Sequence, residues 1–280
     1  MMSESELSAL EEAMKQFYMD PPSAYHESAL ATAKDWTKPE YVFHRRIVAL
    51  AHPKSEVLDV GCGPAESYGF FHERGAHYTG ADVAREQLRA NELRCPGATF
   101  LCLQWRDLAM LGARYDVVTS FFTLEHVVYP REFLAACASA VRPGGVLAIL
   151  CPNFLERGYL PSQHFFGSRP GGLRAKLKRR LWAEVVRELF DRYIVYPVFL
   201  RRARKMARRE GAWVINLRPV CLEVREWARD WDAVYMVSED EVANYLTGLG
   251  LTLVERGTTW RRSARTVAYP DFCYVVCRKE

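Results

Sequence analysis

Residues 56–63 read EVLDVGCG, and this stretch decides the fold. Its first part is a short apolar run typical of a buried strand, and Gly61 and Gly63 lie in the turn at its end. Glycine lets the backbone pass close to a ligand at the carboxyl end of a strand, beside a helix N-terminus. The stretch therefore predicts the first strand of an α/β domain, followed by a ligand-binding turn.

Downstream of this turn, apolar runs alternate with helical patterns up to residue 152. Helices are predicted at 65–74, at 83–93 and after Pro130, which suits the first position of a helix. The remaining strands of this part are predicted at 77–82, 98–103, 115–122 and 145–151. Nearly continuous apolar strands separated by helices indicate a parallel sheet covered on both faces.

The alternation breaks after residue 152 and returns near the C-terminus. Ser238 and Glu241 predict a capping box at the start of a helix, and strands follow at 251–257 and 271–277. Two helical stretches, around 4–18 and 38–51, precede the first strand. The predicted organisation is an N-terminal helical cap, a nucleotide-binding type of core and a helical insertion, at 1–55, at 56–152 with 236–280, and at 153–235.

Composition indicates an ordinary globular protein. The chain has 280 residues, 49% hydrophobic and 26% charged, which fits one large domain or a domain with an elaboration. No apolar run approaches the about 18 residues of a membrane span, and the acidic N-terminus lacks the apolar core of a secretory signal. The eight cysteines lie within apolar runs, which is typical of small buried residues in a reducing compartment. We therefore expect a cytoplasmic protein without a disulfide framework or metal site.

Two acidic positions restrict the ligand. Asp82 ends the second strand, 21 residues after Gly61, a spacing at which a carboxylate can accept hydrogen bonds from both ribose hydroxyls. The alternative is that Asp82 only caps the following helix. Glu66 occupies the position of the third glycine of a dinucleotide-binding motif, where its charge would repel a pyrophosphate. This argues against NAD or FAD.

Several motifs in order carry a family resemblance. VLDVGCGPAES (57–67), YTGADVAREQL (78–88) and the series from FLCLQWRDL to LAILCPN (100–153) resemble a class I S-adenosylmethionine-dependent methyltransferase. The likeness covers 56–153 continuously, together with the last helix and two strands. It implies a Rossmann-like seven-stranded sheet with helices on both faces, a mainly helical insertion between strands 5 and 6, and S-adenosyl-L-methionine as cofactor.

The resemblance also implies roles for individual residues. Asp59, Gly61 and Gly63 would approach the methionine part of the cofactor, and Asp82 would hold the ribose. Where the family commonly has an acid that binds the adenine amino group, this chain has Gln104, whose carbonyl can also accept, and Asp107 is the alternative. The other expected cofactor contacts are Trp105, stacked on the adenine, and Ser120 and Phe121, beneath the sulfonium.

His126 is the first candidate for a catalytic base, because it lies just past the fourth strand, near where the methyl group would point. The alternative is a histidine that packs near the cofactor. Its neighbour Glu125 is interpreted as a helix-start or solvated acid.

The insertion supplies further candidates for the acceptor site. His164 lies in its first loop, and Asp232 lies in an aromatic and acidic run before the last helix, with Trp231 and Tyr235. Packing or capping is the competing interpretation for each of them. His126, His164 and Asp232 are the predicted catalytic set.

Charge is concentrated in one segment, residues 169–210, which we term the basic arm. It has fourteen Lys and Arg residues against four Asp and Glu, a net +10, whereas the whole chain carries +4. Its apolar residues predict an amphipathic helix at about 173–195, with its apolar stripe packed on the protein or a partner chain. Pro197 is expected to stop this helix, and a second basic helix is predicted at 198–211. The arm is interpreted as a lid, as a site for an anionic acceptor, or as a surface for membrane or nucleic acid.

The predicted function is transfer of a methyl group to an oxygen or nitrogen atom of a small metabolite such as a sugar or a polyketide-like phenol. The residues after the fourth strand, Ser120 to Thr123, lack the Pro-Pro-Tyr motif of enzymes that methylate adenine or glutamine amides. The alternatives are a lipid-linked or anionic macromolecular acceptor and a non-catalytic cofactor-binding scaffold. Nucleic acid is disfavoured, because aromatic residues do not alternate with the basic ones. Peripheral membrane contact and homo-oligomerisation stay open.

Overall fold

A central sheet of seven strands organises the computed structural model, which describes residues 3–22, 36, 38–157, 173–209, 211–224, 230–258 and 272–280. The strand order is β3-β2-β1-β4-β5-β7-β6. β7 runs antiparallel to both of its neighbours, and the other pairs are parallel. The strands are β1 (Glu56–Val60), β2 (His77–Asp82), β3 (Thr99–Cys102), β4 (Tyr115–Phe121), β5 (Val141–Pro152), β6 (Leu251–Arg256) and β7 (Phe272–Lys279).

Helices cover both faces of this sheet, as its apolar strands require. One apolar cluster packs Leu58 and Val118 with Leu134 of a crossover helix, and a second packs Val57 and Val117 on the opposite face. Residues along a strand alternate between the two faces, so both sets of β1 side chains are buried. The predicted Rossmann-like α/β fold is confirmed.

The helices of the sheet region begin near their predicted positions. They are α3 (Tyr68–Glu73), α4 (Arg85–Arg94), α5 (Pro130–Ala140) and α11 (Glu239–Gly248). Pro130 lies in the first turn of α5, as predicted. The predicted capping box of α11 is only half formed. Ser238 accepts from the backbone N–H of Glu241, but the Glu241 carboxylate accepts from the N–H of Trp213 and from the Tyr235 hydroxyl.

Two N-terminal helices pack on the core. α1 (Glu4–Met19) begins with a capping box between Ser3 and Glu6, and it buries Leu10 and Met14 against the cluster that contains Leu58. The 3₁₀ turn Pro39–Tyr41 leads into α2 (Val42–Val48), which buries Phe43 and Ile47 on the other face. The chain before β1 therefore contacts both sides of the sheet. Its division from the core at residue 55 stays a prediction.

The first of the two helices predicted in the basic arm is interrupted, whereas the second corresponds to one observed helix. It contains α7 (Leu173–Lys178), α8 (Trp182–Phe190), a π-helical turn (Asp191–Val195) and α9 (Tyr196–Ala207). Arg180 has a positive φ of 57° between α7 and α8, and a residue in this left-handed region ends a helix. Pro197 lies in the first turn of α9, where a backbone N–H would have no helical partner in any case. It therefore begins a helix instead of stopping one.

Most of the arm's apolar stripe does not pack on the protein body, and its packing on a partner chain stays a prediction. Val185 is buried, but Leu177, Leu181, Trp182, Val186, Leu189 and Phe190 are exposed. α9 is anchored to the body through Leu200, Ala203 and Ala207, which cluster with Met236 and with α6 (Phe154–Arg157). α10 (Val220–Val224) follows the arm. In the described part of the chain, none of the helices has the length and apolar character to cross a bilayer.

Candidate active site

A cavity of about 880 Å³ lies at the carboxyl ends of β1, β2 and β4. β1 and β4 are neighbours in the sheet, and the strands that follow each of them are added on opposite sides. Ligands of such sheets bind at this switch point in the strand order. The volume is at the upper end of the about 300–1,000 Å³ typical of small-molecule sites. α1 forms one wall through Met14 and Tyr18, and Trp36 and His44 contribute to another.

The glycine turn after β1 forms the floor of the cavity. Gly61 and Gly63 have positive φ angles of 74° and 45°, and the Gly61 N–H donates to Ala81 in β2. A Cβ on Gly61 would come within 2.3 Å of the Thr123 side chain, whereas a Cβ on Gly63 would meet nothing within 4 Å among the described residues. Gly61 therefore serves close packing, and Gly63 leaves room above the turn.

Gly61→Ala should destabilise the fold more than a glycine substitution that only strains φ. Gly97 has a φ of 86° with open space at its Cβ position, so Gly97→Ala should cost about 1–2 kcal/mol of unfolding free energy. The contact with Thr123 should add about 1–3 kcal/mol in Gly61→Ala. Urea denaturation measures both values. Equal losses in the two variants would contradict the close packing of Gly61 on Thr123.

Asp59 lies under this turn and is 2% exposed. Its Oδ2 accepts from the hydroxyls of Ser67 (2.5 Å) and Tyr78 (2.8 Å). Burial raises the pKa of Asp59 to about 6, although both hydrogen bonds oppose the shift. Its Oδ1 lacks a hydrogen-bond partner within the described residues, an arrangement that suits a positively charged ligand group.

Asp82 joins β2 to the glycine turn and to α4. Its Oδ2 accepts from the N–H of Gly63 and its Oδ1 from the N–H of Ala84, both at 2.9 Å. Burial raises the pKa of Asp82, and these backbone hydrogen bonds counteract the effect. Asp82 therefore holds the backbone just before α4, although the N-cap residue of that helix is Ala84. A carboxylate has about four acceptor sites, so acceptor capacity remains for a ligand in the cavity that Asp82 lines.

The residues expected near an adenine lie at one end of the cavity. Gln104 and Trp105 line it, and Gln104 precedes the 3₁₀ turn Trp105–Leu111. The Arg106 guanidinium lies 4.1 Å from the centre of the Trp105 ring and pairs with Glu11 of α1. Asp107, the alternative to Gln104, accepts from the Gln104 N–H and is not among the residues that line the cavity.

The end of β4 contributes one of its two predicted residues. Phe121 lines the cavity, whereas Ser120 is 1% exposed inside the sheet and does not line it. Adjacent strand residues point to opposite faces, which explains why only one of the pair reaches the cavity. Phe122 and Thr123, which were not singled out, also line it.

His126 lies in the cavity wall in a 3₁₀ turn, Leu124–His126, after β4. Its Nδ1 is 3.0 Å from the backbone oxygen of Asp232. A carbonyl oxygen can only accept, so Nδ1 carries the hydrogen, and Nε2 is the nitrogen that can take up a proton. Nε2 lies 3.8 Å from the Glu125 carboxylate, and the Tyr18 ring centre lies 5.4 Å from the imidazole.

Negative charge surrounds this imidazole. Burial acts to lower the pKa of His126, but the nearby carboxylates of Asp232 and Glu125 together raise it above its ordinary value. Burial raises the pKa of Glu125 to about 7, and its Oε2 has no hydrogen-bond partner in the part of the chain that the structure describes. The interpretation of Glu125 as a solvated acid is wrong, since it is 3% exposed.

Asp232 reaches the cavity because the end of the insertion returns to β4. The Glu125 carbonyl accepts from the N–H groups of Val234 and Tyr235, and the Tyr18 hydroxyl donates to Asp232 Oδ2 at 3.0 Å. No local sequence signal marks Tyr18, which is 108 residues away from His126 in the chain. The structure thus brings His126 and Asp232 together, and His164 lies outside the described residues.

The other acceptor candidates of the insertion do not line the cavity. Trp231 packs against the apolar core. Tyr235 is fully buried, and its hydroxyl donates to Glu241. For both residues the packing alternative agrees with the structure.

Aromatic rings form the wall beside Phe121. Trp36 stacks on Phe70 with ring centres 4.2 Å apart, and His44 stacks on Phe121 at 5.7 Å. Burial lowers the pKa of His44 to about 3, with a smaller effect of the Arg45 charge, so its ring is neutral at pH 7. The sequence analysis missed Trp36 and His44 because no recognisable motif lies near them in the chain.

The site fits S-adenosylmethionine. Asp59 offers a buried carboxylate oxygen without a partner among the described residues, and Gly63 leaves open space beside it. The carboxylate of Asp82 has acceptor capacity left for ribose hydroxyls, and Gln104 and Trp105 line the end where an adenine would bind. A cationic amino acid group, a ribose and a purine thus each have complementary residues in one cavity.

Comparison with known proteins also points to a methyltransferase. Residues 58–149 match the family model of a methyltransferase domain. The chain is similar to the ubiquinone biosynthesis O-methyltransferase of Idiomarina loihiensis, with 34% identity over 126 residues, 42% of this chain and 52% of that protein. The chain spans about half the length of the curated relatives it matches.

Two solved structures share the fold along most of the chain. An S-adenosylmethionine-dependent methyltransferase from Mesorhizobium loti aligns with a TM-score of 0.54 at 16% identity, covering 86% of this chain and 98% of that one. The 1,6-didemethyltoxoflavin-N1-methyltransferase of Burkholderia thailandensis, solved with S-adenosylhomocysteine, aligns with a TM-score of 0.51 at 17% identity, covering 100% and 91%. With the sheet order and the cavity, these matches identify the domain around residues 58–149 as a class I methyltransferase domain with S-adenosyl-L-methionine as its cofactor.

Proposed function

We propose that this protein transfers a methyl group from S-adenosylmethionine to a hydroxyl oxygen of a small acceptor. The observation that carries the proposal is His126, whose Nδ1 hydrogen is held by the Asp232 carbonyl inside the cofactor cavity. This arrangement keeps Nε2 able to accept a proton. A hydroxyl acceptor needs such a base more than a neutral amine does, because a neutral amine nitrogen is already a good nucleophile and a hydroxyl oxygen becomes one when its proton is removed. The relatives named O-methyltransferases support the same choice.

The bound cofactor supplies an activated methyl group on a sulfonium. Asp59, Asp82, Gln104 and Trp105 would hold it, and the cavity walls would align the acceptor oxygen with the methyl carbon. Positioning of this kind contributes about 7–11 kcal/mol toward a reaction barrier. His126 would take the hydroxyl proton on Nε2, and Asp232 and Glu125 would stabilise the resulting imidazolium. A positioned base contributes about 10²–10⁴-fold in rate.

The aromatic wall supports a flat, ring-shaped acceptor, a phenol in preference to a sugar. Trp36, Phe121 and Phe122 border the cavity, and His44 is neutral. Aromatic side chains favour offset or edge contacts with a second ring, whereas a sugar needs several polar groups.

The test compares acceptors that differ in one atom. The protein is incubated with methyl-labelled S-adenosylmethionine and with a set of catechols, or with the matching aminophenols and phenylenediamines. We expect labelled methyl ethers from the catechols and from the hydroxyl of the aminophenols. Methylation of nitrogen in the mixed acceptor, or no labelled product from any member of the set although the cofactor binds, would contradict the proposal.

The charge of Asp232 should control the pH at which His126 becomes a base. Methyl transfer should rise with pH as the imidazolium of His126 deprotonates, and the pKa of this group is raised by Asp232 and Glu125. Asp232→Asn removes one of these charges while an amide oxygen can still accept from Tyr18. We therefore expect the acid limb of the kcat/KM profile to move to lower pH.

The matched control is Asp116→Asn, in a carboxylate that accepts from the Glu56 N–H at the amino ends of β1 and β4, away from the cavity. Its pH profile should equal that of the wild type. If Asp232→Asn leaves the acid limb in place, His126 is not the titrating base.

A further inference from the structure

The outward surface of the basic arm is apolar where a helix in water is normally polar. Trp182, Val186 and Phe190 are 62%, 65% and 55% exposed. With Leu189 they follow the spacing i, i+4, i+7 and i+8, which places them on one face of α8. Tyr193 and Ile194, in the π-helical turn, and Val198, in α9, add further exposed apolar side chains. We term these seven residues the apolar face.

The opposite side of α8 is charged and buried. Glu188 forms an ion pair with Lys176 of α7 at 2.8 Å, with the two side chains 6% and 4% exposed, and Glu184 is also buried. Burying an ion pair requires costly desolvation of both charged groups. Exposed apolar side chains contribute no free energy of burial to the fold. α8 thus buries Glu184 and Glu188 while it exposes large apolar side chains, which is unusual for a helix that faces only water.

Basic side chains flank the apolar face along the chain. Exposed Lys178, Arg179 and Arg180 precede it, and exposed basic residues of α9 and its C-terminal end follow it, namely Arg201, Arg202, Lys205, Arg208 and Arg209. A ligand for this surface must accept apolar rings and supply negative charge next to them. The interface of a bilayer with anionic headgroups has both properties.

Two other occupants agree less well with the same residues. A second copy of this chain would bring another segment of net +10 against the first. A nucleic acid would neutralise the basic residues but would offer no acyl region for Val186, Ile194 and Val198. The charge complementarity therefore favours lipid.

We propose that the basic arm docks the protein peripherally on anionic phospholipid membranes, with α8 lying in the interface and its apolar face directed toward the acyl chains. Arginine and lysine residues on both sides would contact the headgroups. This inference does not depend on the identity of the methyl acceptor, since none of the residues involved lines the active-site cavity.

Cosedimentation with sonicated vesicles tests the proposal. The full-length protein should pellet with vesicles of phosphatidylcholine and phosphatidylglycerol and stay in solution with phosphatidylcholine alone. Each basic residue near an anionic surface contributes about fivefold to binding, so Arg201→Gln/Arg202→Gln/Lys205→Gln should lower the partition coefficient by about 100-fold. Trp182→Ser/Val186→Ser/Phe190→Ser should lower it by at least about tenfold.

The matched control is Leu93→Ser/Met110→Ser, which removes two exposed apolar side chains far from the arm in sequence. It should pellet like the wild type, and all variants should keep the wild-type affinity for S-adenosylmethionine, which shows that they fold. No pelleting of the wild type with anionic vesicles would overturn the proposal. Two further results would also overturn it. One is that Trp182→Ser/Val186→Ser/Phe190→Ser pellets as strongly as the wild type. The other is that sedimentation velocity shows a dimer which this variant alone fails to form.

Discussion

His126→Ala should lower kcat by about 10²–10⁴-fold, while the Kd for S-adenosylmethionine stays near that of the wild type. The imidazole is held through its Nδ1 by the Asp232 carbonyl, and it contacts Tyr18 and Glu125 rather than the predicted cofactor residues Asp59 and Asp82. Its loss should therefore remove proton transfer and leave the cofactor end of the cavity intact. Steady-state kinetics and titration calorimetry measure the two quantities.

Free imidazole distinguishes a lost base from a lost packing contact. It should restore part of the turnover of His126→Ala, because the small ring can enter the space that the substitution creates. His52→Ala, an exposed histidine outside the cavity, is the control and should keep the wild-type kcat. A parallel fall of Tm and cofactor affinity in His126→Ala, without rescue by imidazole, would assign His126 a packing role.

Asp82→Ala should weaken cofactor binding by about 10–150-fold, since charge-assisted hydrogen bonds contribute about 1.5–3 kcal/mol. The side chain would hold the ribose while it fixes the N–H groups of Gly63 and Ala84, so the substitution also loosens the glycine turn. Asp82→Asn keeps one acceptor oxygen and should fall between the wild type and Asp82→Ala. Titration calorimetry with S-adenosylmethionine gives the affinities.

Asp116→Ala controls for the loss of a carboxylate that accepts a backbone hydrogen bond. Asp116 binds the Glu56 N–H at 2.8 Å and lies outside the cavity, so its removal should leave cofactor affinity unchanged. Unaltered affinity in a folded Asp82→Ala variant would show that Asp82 is only a cap.

The parallel sheet was predictable because its signals are local. EVLDV is apolar and β-branched, Gly61 and Gly63 mark its end, and Pro130 marks the start of a helix. The positions of Asp59 and Asp82 at the ends of two neighbouring parallel strands followed from the same pattern. Their approach to one cavity is therefore a consequence of strand order, which the family motifs already implied.

Long-range contacts were not predictable in the same way. Tyr18 reaches the cavity from the end of a segment whose only local signal is helical periodicity, and Trp36 lies between the two predicted N-terminal helices. Asp232 reaches the cavity because the Glu125 carbonyl accepts a hydrogen bond from the Val234 N–H. In the basic arm, helical periodicity gave the apolar stripe but not its direction. The buried pair of Lys176 and Glu188 turns the charged side of α8 inward, and no single-helix pattern contains that information.

The most direct measurement of the central claim is a crystal structure of the protein with S-adenosylhomocysteine. We predict that both ribose hydroxyls lie within about 3 Å of the Asp82 carboxylate and that the homocysteine part lies over Asp59 and Gly61. The sulfur should open toward the part of the cavity that His126 lines. A complex in which Asp82 makes no ribose contact, or in which the sulfur is separated from His126 by the cavity wall, would contradict the proposed active site.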